Sequence, residues 1–137
     1  MALKKLWYSL FMVLITATCD AQEVHSPEGV VEENLEFYNK RDIDGFMRSF
    51  SDSIVLQTWD NLKEPVIGKP AIRMLYASLF NESPQLHSTI KQRILLGNKV
   101  IDHELIVGRR GSPTPIELIM IYEVVAGKIQ RMTVIRE

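Results

Sequence analysis

"LHSTIKQRILLGNKVIDHELIVGRRGSPTPIELIMIYEVVAGKIQRMTVI", Leu86 to Ile135, holds four runs dense in branched apolar residues, separated by "GNK", "GRRGSPTP" and "AGK". Within the runs apolar and polar residues tend to alternate, the period of a strand with one face buried. Gly97-Asn98 and Ala126-Gly127 are short separators of the hairpin type, so the strands they join are antiparallel. This half of the chain is therefore a four-strand meander.

Upstream the period changes to that of helices. Ser26-Pro27-Glu28 combines a capping serine, a proline where its missing N–H costs nothing, and an acid at the positive end of the helix dipole. Val30, Val31, Asn34, Leu35 and Tyr38 then recur on one helical face, apolar except at Asn34. Asp42 caps a second, short helix whose Ile43, Phe46, Met47 and Phe50 share a face. A strand is expected from about Ile54 to Trp59. "DNLKEPVIGKP" contains turn formers and two prolines and reads as a loop with room for a very short extended piece. Pro70 to Asn81 reads as a third helix with Ile72, Leu75, Tyr76, Leu79 and Phe80 on one stripe. Helices gathered on one face of a curved antiparallel sheet leave a gap between layers, and a ligand site would lie there.

The N-terminal residues have a different character. Lys4 and Lys5 precede "LWYSLFMVLITATC", and "DAQ" follows, which is the arrangement of a secretory signal cut after Ala21. The expected organisation is thus a signal peptide over 1–21 and a single domain over 22–137. The chain has one cysteine, Cys19, which offers lipid anchoring as an alternative to cleavage. Export to the periplasm or attachment at the outer membrane follows, with no transmembrane segment in the mature chain and no cysteine left for a disulfide. Without Lys4, Lys5 and Asp20, the 16 basic and 17 acidic residues become 14 and 16, a net charge of −2. Arg109-Arg110 sits in a turn with no interleaved aromatic residue, so nucleic acid is not an expected partner.

Three stretches, "YNKRDIDGFMRSFSDSIVLQ", "IGKPAIRMLYASLF" and "IYEVVAGKIQRMTVI", together with the order of elements, resemble the NTF2-like superfamily, in particular its SnoaL-like branch related to steroid delta-isomerases. The resemblance implies an α+β cone, with three N-terminal helices packed on a strongly curved antiparallel sheet that ends in a meander. It also implies a pocket between the layers and a homodimer through the open sheet face. In the isomerases a tyrosine in the first helix and a protonated aspartic acid late in the meander form an oxyanion hole, and an aspartate at the end of the first strand moves the proton. Laid on this chain, those positions fall on Asn34, Thr58 and Ile119, and all three depart from the pattern. Nearby Tyr38, Asp60 and Glu117 are the residues through which acid–base chemistry could be rebuilt.

The polar triplet Asp102-His103-Glu104 interrupts the second meander strand. Alternation puts Asp102 and Glu104 on one face and His103 on the other, so the three cannot converge. If His103 points inward it is a general-base candidate, because its ordinary pKa is near neutrality. If the carboxylates point inward they need a donor or cation, and Arg93 on the preceding strand is the available one. The residues lack the short-spaced histidine pair of a zinc motif, and no metal or cofactor is expected.

The functional expectation is a pocket for a small, partly apolar organic molecule, with Trp59, Tyr76, Met120 and Tyr122 as wall residues. The alternatives are a cofactor-independent isomerase, dehydratase or hydrolase working through His103 or one of Asp60, Asp102, Glu104 and Glu117, and a dimeric envelope scaffold whose cavity is filled.

Overall fold

The computed structural model describes residues 25–137. The signal-peptide reading of 1–21 and the lipid-anchor reading of Cys19 lie outside the described residues. No helix among the described residues is long and apolar enough to cross a membrane.

Helix α1 spans Pro27–Lys40, and the Ser26 hydroxyl accepts a hydrogen bond from the Gly29 N–H at 3.1 Å, as the capping sequence requires. Arg41 ends it in the left-handed conformation. Asp42 caps α2, Ile43–Arg48, through the Gly45 N–H at 3.0 Å. Strands β1, Phe50–Thr58, and β2, Asn61–Ile67, follow, then α3, Lys69–Asn81. The meander consists of β3, His87–Leu96, β4, Lys99–Val107, β5, Ile116–Val125, and β6, Lys128–Ile135.

The six strands form one sheet in the order β2-β1-β6-β5-β4-β3. All neighbours are antiparallel except β1 and β6, which run parallel. This is the expected α+β cone with two refinements. The third helix enters after two strands, and the sheet has one parallel seam.

Two boundaries differ from the sequence reading. The segment read as a loop after β1 is a seven-residue strand, β2. It lies at the sheet edge, where the absent N–H of Pro65 removes no hydrogen bond needed on both sides. Strand β1 starts at Phe50 rather than Ile54, because Phe50 already pairs with Ile129 of β6.

The core lies between the helices and the concave sheet face. Phe46 sits at its centre, with ring centroids 4.6 Å from Tyr76, 5.0 Å from Phe50 and 5.5 Å from Phe80. Offset and edge-on contacts of this kind add to the energy of burial. On β4 the buried positions are Val100, Asp102, Glu104 and Ile106, and on β5 they are Leu118, Met120, Tyr122 and Val124. Both carboxylates of the triplet therefore face inward and His103 faces outward.

Candidate functional site

An apolar-walled cavity of about 270 Å³ lies between the sheet and α1–α3. Glu104 is its buried carboxyl, 4% exposed, near the centre of β4 opposite Leu118. The Ser88 hydroxyl donates to one of its oxygens at 2.9 Å and the Tyr122 hydroxyl to the other at 3.2 Å. Ser88 is fixed by a reciprocal pair with α1: its N–H donates to the Asn39 side-chain carbonyl at 2.8 Å, and the Asn39 amide donates to its carbonyl at 3.0 Å.

Burial pushes the Glu104 carboxyl up to about 6, and Asp102 nearby adds to this, against the opposing effect of the Ser88 and Tyr122 hydrogen bonds. Tyr76 is pushed up to about 12 by burial and the neighbouring Glu104. Tyr38 and Tyr122 are also raised, burial again being the main cause. At neutral pH the three phenols are therefore neutral hydrogen-bond donors around a carboxyl that changes charge just below neutrality. That combination can hold a carbonyl or hydroxyl oxygen and exchange a proton with it.

The second inward carboxylate has a different surrounding. Asp102 is 1% exposed and outside the cavity wall. Its oxygens accept from Arg93 Nε at 2.7 Å and from a terminal guanidinium nitrogen at 2.8 Å. Arg93 also donates to Glu32 of α1 at 2.7 Å, so the group ties β3, β4 and α1 together. Its guanidinium is held charged by the Asp102 hydrogen bonds, which raise its pKa. Arg93 is thus a structural counter-charge for Asp102 and does not form part of the wall.

Asn34, Tyr38, Thr58, Tyr76, Met120 and Tyr122 line the cavity. The Asn34 amide donates to the Phe46 carbonyl at 3.1 Å, joining α1 to α2. Other expectations are corrected by strand geometry. Trp59 is 62% exposed: β1 ends at Thr58, which lines the cavity, and the next residue projects away from it. Asp60 is exposed in the β1–β2 turn. His103 and Glu117 meet on the outer face at 2.5 Å, with Lys91 2.7 Å from Glu117, so neither reaches the cavity. Lys91 and then His103 hold the Glu117 carboxyl below its ordinary range. Ile119 pairs with His103 and shares its outward face, so the inward positions flanking it are Leu118 and Met120.

Sequence reasoning missed Ser88 and the rim residues Arg109, Arg110, Arg136, Gln57 and Glu64. Arg109 and Arg110 were visible as a basic pair in a turn, but nothing in the chain placed that turn at a cavity mouth. Among the described residues no three His, Cys, Asp or Glu side chains gather as a metal-holding group.

The sequence profile of the SnoaL-like domain matches residues 31–132. A search of curated proteins finds no match. Among solved structures, an uncharacterised cystatin-fold protein from Novosphingobium aromaticivorans is 25% identical, with a TM-score of 0.73, over 81% of this chain and 98% of its own. An NTF2-like protein of unknown function from Cytophaga hutchinsonii is 12% identical, with a TM-score of 0.69, over 82% and 90%. TerC, crystallised with polyporic acid, is 15% identical, with a TM-score of 0.69, over 81% and 91%.

Proposed function

This chain belongs to the SnoaL-like domain family, and from that premise we propose that it binds a small, partly apolar organic molecule in the cavity beneath Tyr38 and Tyr76. The observation that carries the reading is Glu104, a buried carboxyl on the wall of an open, mostly apolar cavity. A protein whose only need was a filled core would lose nothing by placing an aliphatic residue there, since burying a carboxyl opposes folding. The open cavity favours this reading over a scaffold with a filled interior. The co-crystal of TerC with polyporic acid supports a small organic ligand by fold analogy.

NMR screening of small aromatic and alicyclic compounds tests this directly. Binders are expected to shift the methyl signals of Met120, Met132 and Leu79, and to do so equally in His103→Ala, which changes only the outer face. A library whose hits all map to the outer face, or that yields none, contradicts the reading.

The position of the Glu104 pKa favours a second reading, a cofactor-independent isomerase or dehydratase in which this carboxyl moves the proton and the tyrosines hold the developing oxyanion. Glu104→Gln should then keep ligand affinity while slowing exchange of an α-hydrogen in a bound cyclic ketone by about 10²–10⁴-fold. Equal exchange in the two proteins would remove Glu104 from that role.

The same variant has an effect on stability. A carboxyl whose pKa is 4.5 when free and about 6 when folded binds its proton more tightly in the folded protein. Its contribution is therefore fully present below pH 4.5, declines between 4.5 and 6, and is lost above, a difference of about 2 kcal/mol. Glu104→Gln is expected to be more stable than the parent at pH 8, by about 1–2 kcal/mol, with the gain vanishing at pH 4. Urea denaturation of both proteins at the two pH values checks this, and a Glu104→Gln gain no larger at pH 8 than at pH 4 would contradict it.

Export and dimerisation belong to the same proposal. Lys4, Lys5 and the apolar run after them support a cleaved or lipidated N-terminus, and mass spectrometry of the mature protein would reveal an uncut chain. On the outer sheet face Ile101, Ile119 and Ile121 adjoin one another across β4 and β5, which supports pairing with a second copy. Ile119→Lys should convert a dimer to a monomer in sedimentation; a wild-type monomer would end that part of the proposal.

A further inference from the structure

The cavity has an end lined by arginines and an end lined by the Glu104 carboxyl, and the sheet pairing shows how they are placed. Ile106 pairs with Ile116, Ile119 with Ile135, and Thr58 with Val134. The end of β4, the start of β5 and the ends of β6 and β1 therefore lie at one edge of the cone. Arg109 follows β4 and Arg136 follows β6, so two guanidinium groups from different segments line the cavity at that edge.

Neither has the carboxylate partner that Arg73, Arg93, Arg110 and Arg131 have. Arg93 is bound to Asp102, Arg73 to Asp44, Arg131 to Glu123, and Arg110 to Glu82 at 2.7 Å. Among the described residues no ion pair includes Arg109 or Arg136. Glu64 is the carboxylate on the same rim, and it accepts from the Asn61 amide at 3.0 Å.

Arg109 is also positioned by its neighbours. Gly108 adopts φ +72° with its backbone against Gln85, and the Arg110 N–H donates to the Ser83 hydroxyl at 2.8 Å. The backbone that carries Arg109 is thus fastened to the segment between α3 and β3. Its charge is felt inside, where it opposes the effect of burial on Tyr38 and Tyr76. Guanidinium groups beside apolar walls, with no carboxylate of their own, match a planar oxyacid anion better than a neutral group or a cation.

We infer that the ligand of this pocket is an organic anion with a flat apolar body, its carboxylate held at the mouth by Arg109 and Arg136 and its far end directed at Glu104 and Tyr122. The inference rests on the pocket reading above and adds the ligand's charge and orientation. From Glu104 to the end of β4 at Val107 is three residues, about 10 Å at strand rise, which is the length of a two-ring carboxylic acid. Charge at the mouth also keeps the anion's negative end away from Glu104, so the two acidic groups need not be buried side by side.

The matched probes are 2-naphthoate and its neutral counterpart 2-naphthamide, titrated into the full protein at 150 mM salt and followed by NMR. The acid is expected to bind about tenfold more tightly than the amide, a difference one charge-assisted contact can supply. Arg109→Gln and Arg136→Gln should each reduce that preference without altering affinity for the amide, and the double variant should abolish it. Arg136 is exposed and Arg109 half-buried, and an unchanged NMR spectrum away from the mouth will show that the fold is intact in each variant. Equal affinity for acid and amide, or a preference that survives the double variant, overturns the anion inference and leaves the pocket reading standing. Failure of both compounds to shift the cavity residues overturns the two together.

Discussion

Asp102→Ala is expected to lower folding stability by about 3 kcal/mol, seen as a lower midpoint in urea with little change in slope. Asp102 is 1% exposed, while the Arg93 side chain retains 14% exposure. Removing the carboxylate leaves a guanidinium beneath α1 with only the solvent-exposed Glu32 and, more distantly, Glu28 for compensation. The cost comes from the orphaned charge more than from the lost attraction. Replacing both partners, as in Arg93→Met/Asp102→Leu, should therefore recover much of the loss. A loss below about 1 kcal/mol in Asp102→Ala would place this pair with ordinary surface ion pairs.

Gly108→Ala is expected to cost about as much, roughly 3 kcal/mol, from two sources. Left-handed backbone costs a residue with a Cβ about 1–2 kcal/mol, and forcing atoms into an occupied space adds about 1–3 kcal/mol. The occupied space is specific: a Cβ at Gly108 would lie 2.2 Å from the Gln85 carbonyl oxygen and 2.5 Å from its carbon, which are backbone atoms that cannot rotate away. Gly111 has a similar φ of +71° but nothing within 4 Å of a built Cβ. Gly111→Ala thus carries the conformational penalty alone and serves as the control in thermal denaturation. Equal melting temperatures for the two variants would show that the Gln85 contact yields freely.

The parts of this fold that were legible in the chain are those governed by local rules. Ser26 and Asp42 announce helix starts because a short polar side chain can satisfy the first open amides, and both do so. The meander is legible because strand alternation and two-residue turns act over a few residues. Strand β2 was hidden because Pro65 argues against a central strand, and only the sheet order shows that it lies at an edge.

The site is less legible for a related reason. Alternation separates Asp102 and Glu104 from His103, yet it cannot say which face the helices cover. That choice is made by packing between distant elements, such as the Asn39–Ser88 clamp and the reach of Arg93 to Glu32. The same limit applied to Ile119: a position inferred by analogy fell on the outward side of β5, one residue from the inward Leu118 and Met120. Arg136 had no signal at all, because its relation to the cavity arises only when the end of β6 is brought beside β1 and the loop after β4.

The proton chemistry proposed for the cavity turns on Glu104 being a buried carboxyl that changes charge near neutrality. A ¹³C NMR titration of its side-chain carboxyl measures this without any knowledge of the ligand. The account predicts a midpoint at about 6, with the Tyr122 ring signals moving at the same pH because its hydroxyl donates to that carboxyl. A midpoint at the ordinary 4.5 would contradict it, since burial would then not outweigh the opposing hydrogen bonds from Ser88 and Tyr122.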